Sequence, residues 1–137
     1  DISVVKINFQ DRTCQIAGAN RPVLLVRNGE VNELKTDKIN ISGKPEDFSE
    51  DRFADLEFPV ETGDCLYFFS DGITDQFGGE NGKRLGSKRF YEYIQSICQL
   101  PMAEQKEKLT SELSEWKQDN PQTDDILIVG IRCIFPS

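Results

Sequence analysis

Apolar and polar residues alternate along the first part of the chain as they do in short β-strands. In residues 3–9, Val5, Ile7 and Phe9 fall on one side, with polar residues between them. This period of two residues is typical of a half-buried strand. The same pattern predicts strands over residues 13–17, 23–26 and 31–34, with the hairpin dipeptide Asn28-Gly29 between the last two. We therefore expect an antiparallel meander at the start of the chain.

Longer apolar runs predict the remaining elements. Residues 65–70 (CLYFFS) are apolar on both faces, which favours a central strand. The glycine-rich stretch after Ser70 predicts a long loop, and Ser87 is suited to cap a helix over residues 87–98. The other expected elements are an irregular connection over 37–55, a strand over 56–60, a helix from Pro101 to Asn120 with Met102, Leu109, Leu113 and Trp116 on its buried side, and a last buried strand over 126–131.

This order of many strands, two helices and one strand predicts an α+β fold. Its mostly antiparallel β-sheets would be flanked by the two helices. No repeat or composition shift divides residues 1–137. The chain starts at Asp1 directly in a strand pattern, and its one methionine is Met102. We therefore expect it to be part of a longer parent chain.

The composition excludes several classes of function. The chain has 24 acidic and 16 basic residues, for a net charge of -8. Nucleic acids and anionic membrane surfaces bind basic faces, so neither is an expected partner. The sequence contains no histidine, which excludes Ser-His and Cys-His catalysis and histidine metal ligands within it. The four cysteines form no close pair, and we expect free buried thiols.

Acidic residues stand at the ends of the two most apolar strand patterns. Asp71 follows CLYFFS directly, and Asp124 and Asp125 precede residues 126–129 (ILIV). If these strands are antiparallel neighbours, Asp71 and Asp124 meet at one edge of the sheet. Two carboxylates so near to each other raise each other's pKa unless a cation compensates them. The divalent ions Mg²⁺ and Mn²⁺ prefer such oxygen ligands. On the pattern alone, polar turns at the strand ends explain these acids equally well, because Asp-Gly is a common turn dipeptide.

Other motifs are weaker. Residues 71–82 have the length of an EF-hand loop but carry Gln76 and Gly82 where that loop needs glycine and glutamate. Residues 78–84 (GGENGKR) depart from a phosphate-binding loop in spacing.

Two further segments each allow two interpretations. Turn geometry alone accounts for the glycine and proline of the loop over 18–22, or this loop has a functional role. A basic cluster forms a solvated face, or it contacts a phosphate group. It consists of Lys83, Arg84, Lys88 and Arg89.

Three segments together resemble a known family. They are AGANRPVLLVRNGEV (17–31), GDCLYFFSDGITDQFGGENGKRLGSKRF (63–90) and TDDILIVGIR (123–132). In order and spacing they resemble the last blocks of the SpoIIE-like serine/threonine protein phosphatases, in the metal-dependent superfamily that includes protein phosphatase 2C. The similarity extends over essentially the whole chain. Residues 1–137 are thereby identified as the C-terminal part of such a phosphatase domain.

The resemblance implies a two-sheet sandwich with a binuclear Mn²⁺ or Mg²⁺ centre at one edge, where metal-activated water hydrolyses phosphoserine or phosphothreonine. Asp71 matches the aspartate of the family's S-D-G block, and Asp124 matches the first aspartate of the final block. Asp125 is the alternate ligand, and Gly72 would leave room beside the metal. No residue of this chain is expected to act as a protein nucleophile.

The chain also departs from the family pattern. The loop over 18–22 lacks the histidine that is frequent in the family, and Leu127 stands where threonine or serine is common. The earlier family blocks, which supply a bridging aspartate and another acid, have no counterpart here. The isolated chain is therefore expected to lack part of the site.

Two functions compete at this point. The first is metal-dependent dephosphorylation of a bacterial regulatory protein, in a parent with an upstream sensor or interaction module. The second is a non-catalytic signalling module with a degenerate phosphatase fold; an acidic structural β-domain is a weaker third reading. We expect a cytoplasmic location for this segment, and the resemblance leaves a membrane-tethered parent open.

Overall fold

The structure is a computed structural model that describes residues 2–19, 21–35 and 56–136. The connection expected over 37–55 lies outside the described residues. The elements in chain order are β1 (Ile2–Asn8), β2 (Thr13–Ala19), β3 (Val23–Arg27), β4 (Glu30–Leu34), β5 (Leu56–Pro59), β6 (Cys65–Phe69), α1 (Asp71–Asp75), β7 (Phe77–Gly78), β8 (Lys83–Arg84), α2 (Ser87–Ile97), α3 (Met102–Lys117) and β9 (Ile128–Arg132).

Two antiparallel sheets carry most of the strands, and the predicted α+β class is confirmed. The first sheet has the order β1-β2-β5, and the second has the order β4-β3-β6-β9. The expected meander is wrong at one step, because β2 and β3 lie in different sheets. Hairpins do join β1 to β2 and β3 to β4. Between them, the chain crosses from one sheet to the other at Arg21 and Pro22.

Alternate residues of β3 and β6 contribute to two separate cores. Leu25 and Leu66 pack between the two sheets, together with Cys14 and Ile16 of β2. Their neighbours in sequence face the helices, in a core that includes Tyr67 of β6. The layers are therefore sheet, sheet and helices. β6 lies between β3 and β9, as its apolar character on both faces predicts.

The last strand differs from its prediction. β9 pairs with β6 on one side, and none of the described strands pairs with its other side. Val129 and Ile131 are 42% and 37% exposed, and Leu127 just before the strand is 61% exposed. Val129 lies opposite Phe68, and Ile131 opposite Leu66, on the face that points toward the first sheet. An apolar run predicts burial, but the described part of the chain covers this end of that face only in part.

The glycine-rich segment after Ser70 is not the long loop that we expected. It contains the short helix α1 and the hairpin of β7 and β8. Gly78 and Gly79 let this hairpin approach α3 closely, because a Cβ on Gly78 would lie 1.9 Å from the carbonyl oxygen of Trp116. The Trp116 indole Nε1 also donates to the carbonyl oxygen of Gln76 at 3.0 Å. The hairpin is thereby fixed against the C-terminal end of α3.

The two longer helices agree with their predicted ranges, with two corrections in detail. Phe90 and Ile94 of α2 are buried as expected, but Gly86 occupies the N-cap position in place of Ser87. In α3 the fully buried residue is Gln105, whose Oε1 accepts a hydrogen bond from the Tyr67 hydroxyl at 2.7 Å. The expected apolar stripe of α3 is only half-buried.

The described chain holds the four cysteines as buried free thiols, as predicted. Burial, reinforced by the nearby Cys133, raises the pKa of the Cys14 thiol to about 11. No described helix combines the length and the apolar character that crossing a membrane requires.

An ion pair between a partly exposed arginine and a buried aspartate fixes the turn before β6. The Arg27 guanidinium donates to both carboxylate oxygens of Asp64, at 2.9 and 2.6 Å. Asp64 is 2% exposed and also accepts a hydrogen bond from the backbone N–H of Glu61 at 2.8 Å. The Arg27 side chain further donates to the Pro59 carbonyl at 2.8 Å, which ties the end of β5 to β3.

We predict that Arg27→Met lowers the free energy of unfolding by about 3 kcal/mol, since it leaves the Asp64 charge buried without its partner. Urea unfolding followed by Trp116 fluorescence measures this change. Arg84→Met is the matched control: Arg84 pairs with the exposed Asp75 at 3.1 Å, and its removal should change stability by less than about 1 kcal/mol. Equal losses in the two variants would contradict the prediction.

Candidate functional site

Three chain segments meet at one edge of the second sheet. The antiparallel register of β6 and β9 sets Phe69 opposite Ile128, so the end of β6 lies beside the start of β9. The pairing of Leu24 with Tyr67 brings the start of β3 to the same edge. The crossover at Arg21 and Pro22, the residues that follow β6 and the segment before β9 are thus neighbours.

Ser70 joins two of these segments through three hydrogen bonds. Its backbone N–H donates to the carbonyl oxygen of Leu127 at 2.9 Å. Its hydroxyl donates to the carbonyl oxygen of Asp125 at 2.7 Å and accepts from the N–H of Leu127 at 2.9 Å. The serine therefore continues the β6–β9 ladder through its side chain, and it fixes the acidic segment 124–125 against the end of β6.

Gly72 brings the backbones closer still. A Cβ at this position would lie 2.2 Å from the carbonyl oxygen of Asp125, a separation that no side chain tolerates. The sequence predicted a small residue here to leave room beside a metal. The described contact gives a different reason, because glycine is needed for the close approach of the Asp125 backbone.

Asp71 begins α1 at this edge, and its side chain is 44% exposed. Its Oδ2 atom lies 2.8 Å from Nη2 of Arg21, whose side chain is 21% exposed. The hydrogen bond from Arg21 lowers the pKa of the Asp71 carboxyl below its ordinary value, against a smaller opposing effect of burial. Asp71 is therefore an ionised carboxylate at neutral pH.

Asp124 and Asp125 are both exposed and stand on the segment that Ser70 and Gly72 hold. The Oδ1 atom of Asp124 accepts a hydrogen bond from the backbone N–H of Asp125 at 2.7 Å. The Asp124 carbonyl accepts from the side-chain amide of Gln122 at 2.9 Å. The structure thus brings the segment that carries both acids beside the segment that carries Asp71. That Asp71 and Asp124 share one ion, and that Asp124 rather than Asp125 is the ligand, stay predictions.

The chemistry of this edge suits a hard divalent cation. Carboxylates and carbonyl oxygens are the groups that Mg²⁺ and Mn²⁺ prefer. A cation already compensates Asp71 here, namely the Arg21 guanidinium. Within the described ranges, no group of three or more histidine, cysteine or acidic side chains forms a metal cluster.

The two arginines of the basic cluster contact neighbouring side chains. Arg84 pairs with Asp75 at 3.1 Å. Arg89 lies 4.3 Å above the Trp116 ring and 3.9 Å from Glu112. Both arginines line a polar cleft of about 690 Å³ between the β7–β8 hairpin and α3, which Glu112 and Glu115 also line. These acids balance the arginines, so the cleft is not a concentrated positive site.

The sequence did not predict the contact of Arg21 with Asp71. The loop over 18–22 was a candidate for a functional role, but only its glycine and proline had a stated geometry. A usable signal was present: Arg21 directly precedes Pro22 at the start of an apolar run that pairs with CLYFFS. The sequence gives no sign, however, of the crossover between sheets that brings this arginine to Asp71.

Comparison with known proteins identifies the family. The family model of Stage II sporulation protein E (SpoIIE) matches residues 2–134. The structure superposes on the SiaA-PP2C domain of Pseudomonas aeruginosa with a TM-score of 0.85 and 31% identity, over 96% of this chain and 50% of that one. The comparison with curated protein sequences gave no match.

More distant structures share the fold. The phosphatase domain of SpoIIE from Bacillus subtilis, presoaked with Mn, has a TM-score of 0.71 and 19% identity, over 99% of this chain and 57% of that one. The catalytic domain of the serine/threonine phosphatase PstP, in complex with 2 manganese ions, has a TM-score of 0.59 and 15% identity, over 96% of this chain and 58% of that one.

This chain thus spans 50% to 58% of the length of these three structures. The family match, in contrast, extends over nearly all of its residues. The predicted resemblance is confirmed: this chain belongs to the SpoIIE family and has the fold of part of a protein phosphatase 2C-like domain.

Proposed function

We propose that this chain is the C-terminal half of a serine/threonine protein phosphatase domain that depends on Mn²⁺ or Mg²⁺. The observation that carries the proposal is the β6–β9 register, which sets Asp71 beside the segment of Asp124 and Asp125. Family membership supports the reaction class. The SpoIIE phosphatase domain presoaked with Mn and the PstP catalytic domain in complex with 2 manganese ions support the choice of metal.

In this proposal Asp71 and Asp124 are metal ligands, with Asp125 as the alternate. Asp71 contributes an ionised carboxylate at neutral pH, and Ser70 and Gly72 hold the other acidic segment in place. A bound divalent ion would lower the pKa of water so that hydroxide is available near neutral pH. The described residues supply no histidine base and need none for this chemistry.

The remaining ligands of a binuclear centre would come from the other half of the domain. Two observations agree with this. This chain covers only 50% of the SiaA-PP2C domain, and one side of β9 exposes apolar residues. Ile2, Phe68, Leu127 and Val129 line a groove of about 420 Å³ at this end of the sandwich. Further elements of the domain would bury these residues.

We further propose that the substrate is a phosphorylated bacterial regulatory protein and that the domain acts in the cytoplasm under an attached sensor or interaction module. Two related structures support such an arrangement. One contains the PP2C phosphatase domain and a fragment of the regulatory domain of SpoIIE from Bacillus subtilis. The other contains the RsbU and RsbW domains of one protein of Mycobacterium tuberculosis. The alternative function is a non-catalytic module of the same fold, and the first test below distinguishes it from the phosphatase.

Asp71→Asn in the full-length protein should weaken Mn²⁺ binding by more than the roughly 10- to 100-fold that follows loss of an outer-shell partner. It should also abolish hydrolysis of a phosphopeptide. Because Asp71 is half exposed, stability should change by less than about 1 kcal/mol. Isothermal titration with Mn²⁺ and phosphate release measure these effects.

Asp75→Asn is the matched control, since it removes a carboxylate from the other end of α1 and should leave both readouts near wild type. Near wild-type turnover by Asp71→Asn at saturating Mn²⁺ would refute the assignment of Asp71. A wild-type protein that neither binds Mn²⁺ nor hydrolyses phosphopeptides would support the non-catalytic module.

The isolated chain of 137 residues should hydrolyse a phosphopeptide far more slowly than the full-length protein, because it carries acids from only one side of the proposed centre. It should also self-associate through the exposed edge of β9. Phosphate release in millimolar Mn²⁺ and sedimentation velocity measure the two effects. Turnover comparable with that of the full-length protein would place the whole centre within this chain and contradict the prediction.

A further inference from the structure

The acidic segment before β9, residues 121–127, is irregular and largely exposed, yet it is held at both ends. Ser70 holds its C-terminal end through the hydrogen bonds of its hydroxyl. Gln76 holds its N-terminal end, because the side-chain Nε2 donates to the carbonyl oxygen of Pro121 at 3.1 Å. Asp124 therefore lies on a short stretch of backbone between two fixed points.

Gln76 is 1% exposed and joins several parts of the fold. It ends α1, where its backbone N–H donates to the carbonyl oxygen of Ile73 at 3.4 Å. Its own carbonyl oxygen accepts from the indole Nε1 of Trp116 in α3 and from the backbone N–H of Leu85, both at 3.0 Å. The backbone of Gln76 is thus fixed against α1, α3 and the residue after β8, and its side chain extends from this fixed position to the acidic segment.

The surroundings of the Gln76 side chain select the donor end of its amide. Nε2 donates to the carbonyl oxygen of Phe77 at 2.9 Å as well as to that of Pro121. A carbonyl oxygen accepts hydrogen bonds and cannot donate them, so a carboxylate at position 76 would set oxygen against oxygen. Within the described residues Oε1 has no hydrogen-bond partner. The side chain therefore acts on the acidic segment through its NH₂ group.

We propose that Gln76 is a positioning residue of the candidate metal site, which fixes the acidic segment 121–127 against the helix that begins at Asp71. Ser70 joins these two parts at one end, and Gln76 joins them at the other. The inference rests on the proposed function, in which both parts carry metal ligands. Replacing a residue that orients metal ligands without touching the ion costs about 10- to 100-fold in metal affinity. Gln76 acts through three residues of backbone, so we expect the lower end of this range.

A second buried glutamine, Gln105 of α3, provides a matched control. It is 2% exposed, and its Oε1 accepts from the Tyr67 hydroxyl at 2.7 Å. Its Nε2 donates to the carbonyl oxygens of Cys98 and Leu100 at 3.2 and 2.9 Å. These bonds fix α3 against β6 and the end of α2, and none of them involves the acidic segment. Methionine at either position keeps the length of the side chain and removes buried hydrogen bonds, so both variants should lose stability.

The first measurement needs no metal. In the metal-free full-length protein, Gln76→Met should speed amide hydrogen exchange over residues 121–127 about two- to tenfold, the range for loss of one hydrogen bond. Millisecond exchange with mass spectrometry measures this rate. Gln105→Met should leave the exchange of this segment within about twofold of wild type, as expected for a separate site.

The second measurement is Mn²⁺ binding by isothermal titration. Gln76→Met should weaken it about tenfold, and Gln105→Met should leave it within about twofold of wild type. Thermal unfolding of both variants provides the comparison of stability, and the midpoint of Gln105→Met should fall at least as far as that of Gln76→Met. A role in stability alone would weaken Mn²⁺ binding in both variants.

The outcomes separate this inference from the proposed function. Unchanged exchange over residues 121–127 in Gln76→Met overturns the inference, and so does an equal loss of Mn²⁺ affinity in the two methionine variants. If Asp71→Asn binds Mn²⁺ as wild type does, the proposed metal site fails, and the positioning role fails with it. If Asp71→Asn loses Mn²⁺ while Gln76→Met keeps its affinity, only the role of Gln76 is overturned. If Gln76→Met does not fold, Gln76→Asn decides, because its amide is one methylene short of Pro121, and wild-type exchange and affinity in that variant overturn the proposal.

Discussion

The antiparallel pairing of β6 with β9 is the constraint on which the candidate site depends. Because Phe69 lies opposite Ile128, the residue after β6 and the residues before β9 must leave the sheet side by side. Ser70 extends this pairing by one more step through its hydroxyl, and Gly72 permits the contact that follows. A shift of register by one residue would turn the side chains of β9 to the opposite faces of the sheet and would move the acidic segment away from Asp71.

The crossover between the sheets adds the third part of the site. A hairpin between β2 and β3 would have kept Arg21 in the first sheet, away from the end of β6. The chain instead passes to the second sheet, where β3 pairs with β6, and this passage sets Arg21 against Asp71. The same step creates the sandwich, since it separates the apolar residues of β2 from those of β3 and lets both contribute to one core. The fold and the charge arrangement at the edge therefore have a common origin.

The sequence predicted the features that depend on local pattern and missed those that depend on partners in space. The two-faced apolar run of β6 and the helical period of α2 were correct, because burial on both faces or on one stripe leaves a direct mark on residue order. The exposure of Val129 and Ile131 was missed, because an apolar run shows what a strand can bury and not what covers it. Arg21 was missed for the same reason, since its partner lies across the crossover.

An acidic edge in a chain of net charge -8 raises the question of what compensates its carboxylates. Carboxylates held together without a cation raise one another's pKa and oppose the fold. Asp71 shows the reverse, with its pKa lowered by Arg21, so this part of the edge is compensated from within the chain. Such a counter-ion stabilises the edge of the fold, and in the proposed function it would share the oxygens of Asp71 with a divalent ion. If Asp71 is a metal ligand as proposed, this single ion pair would link the stability of the edge to its affinity for the metal.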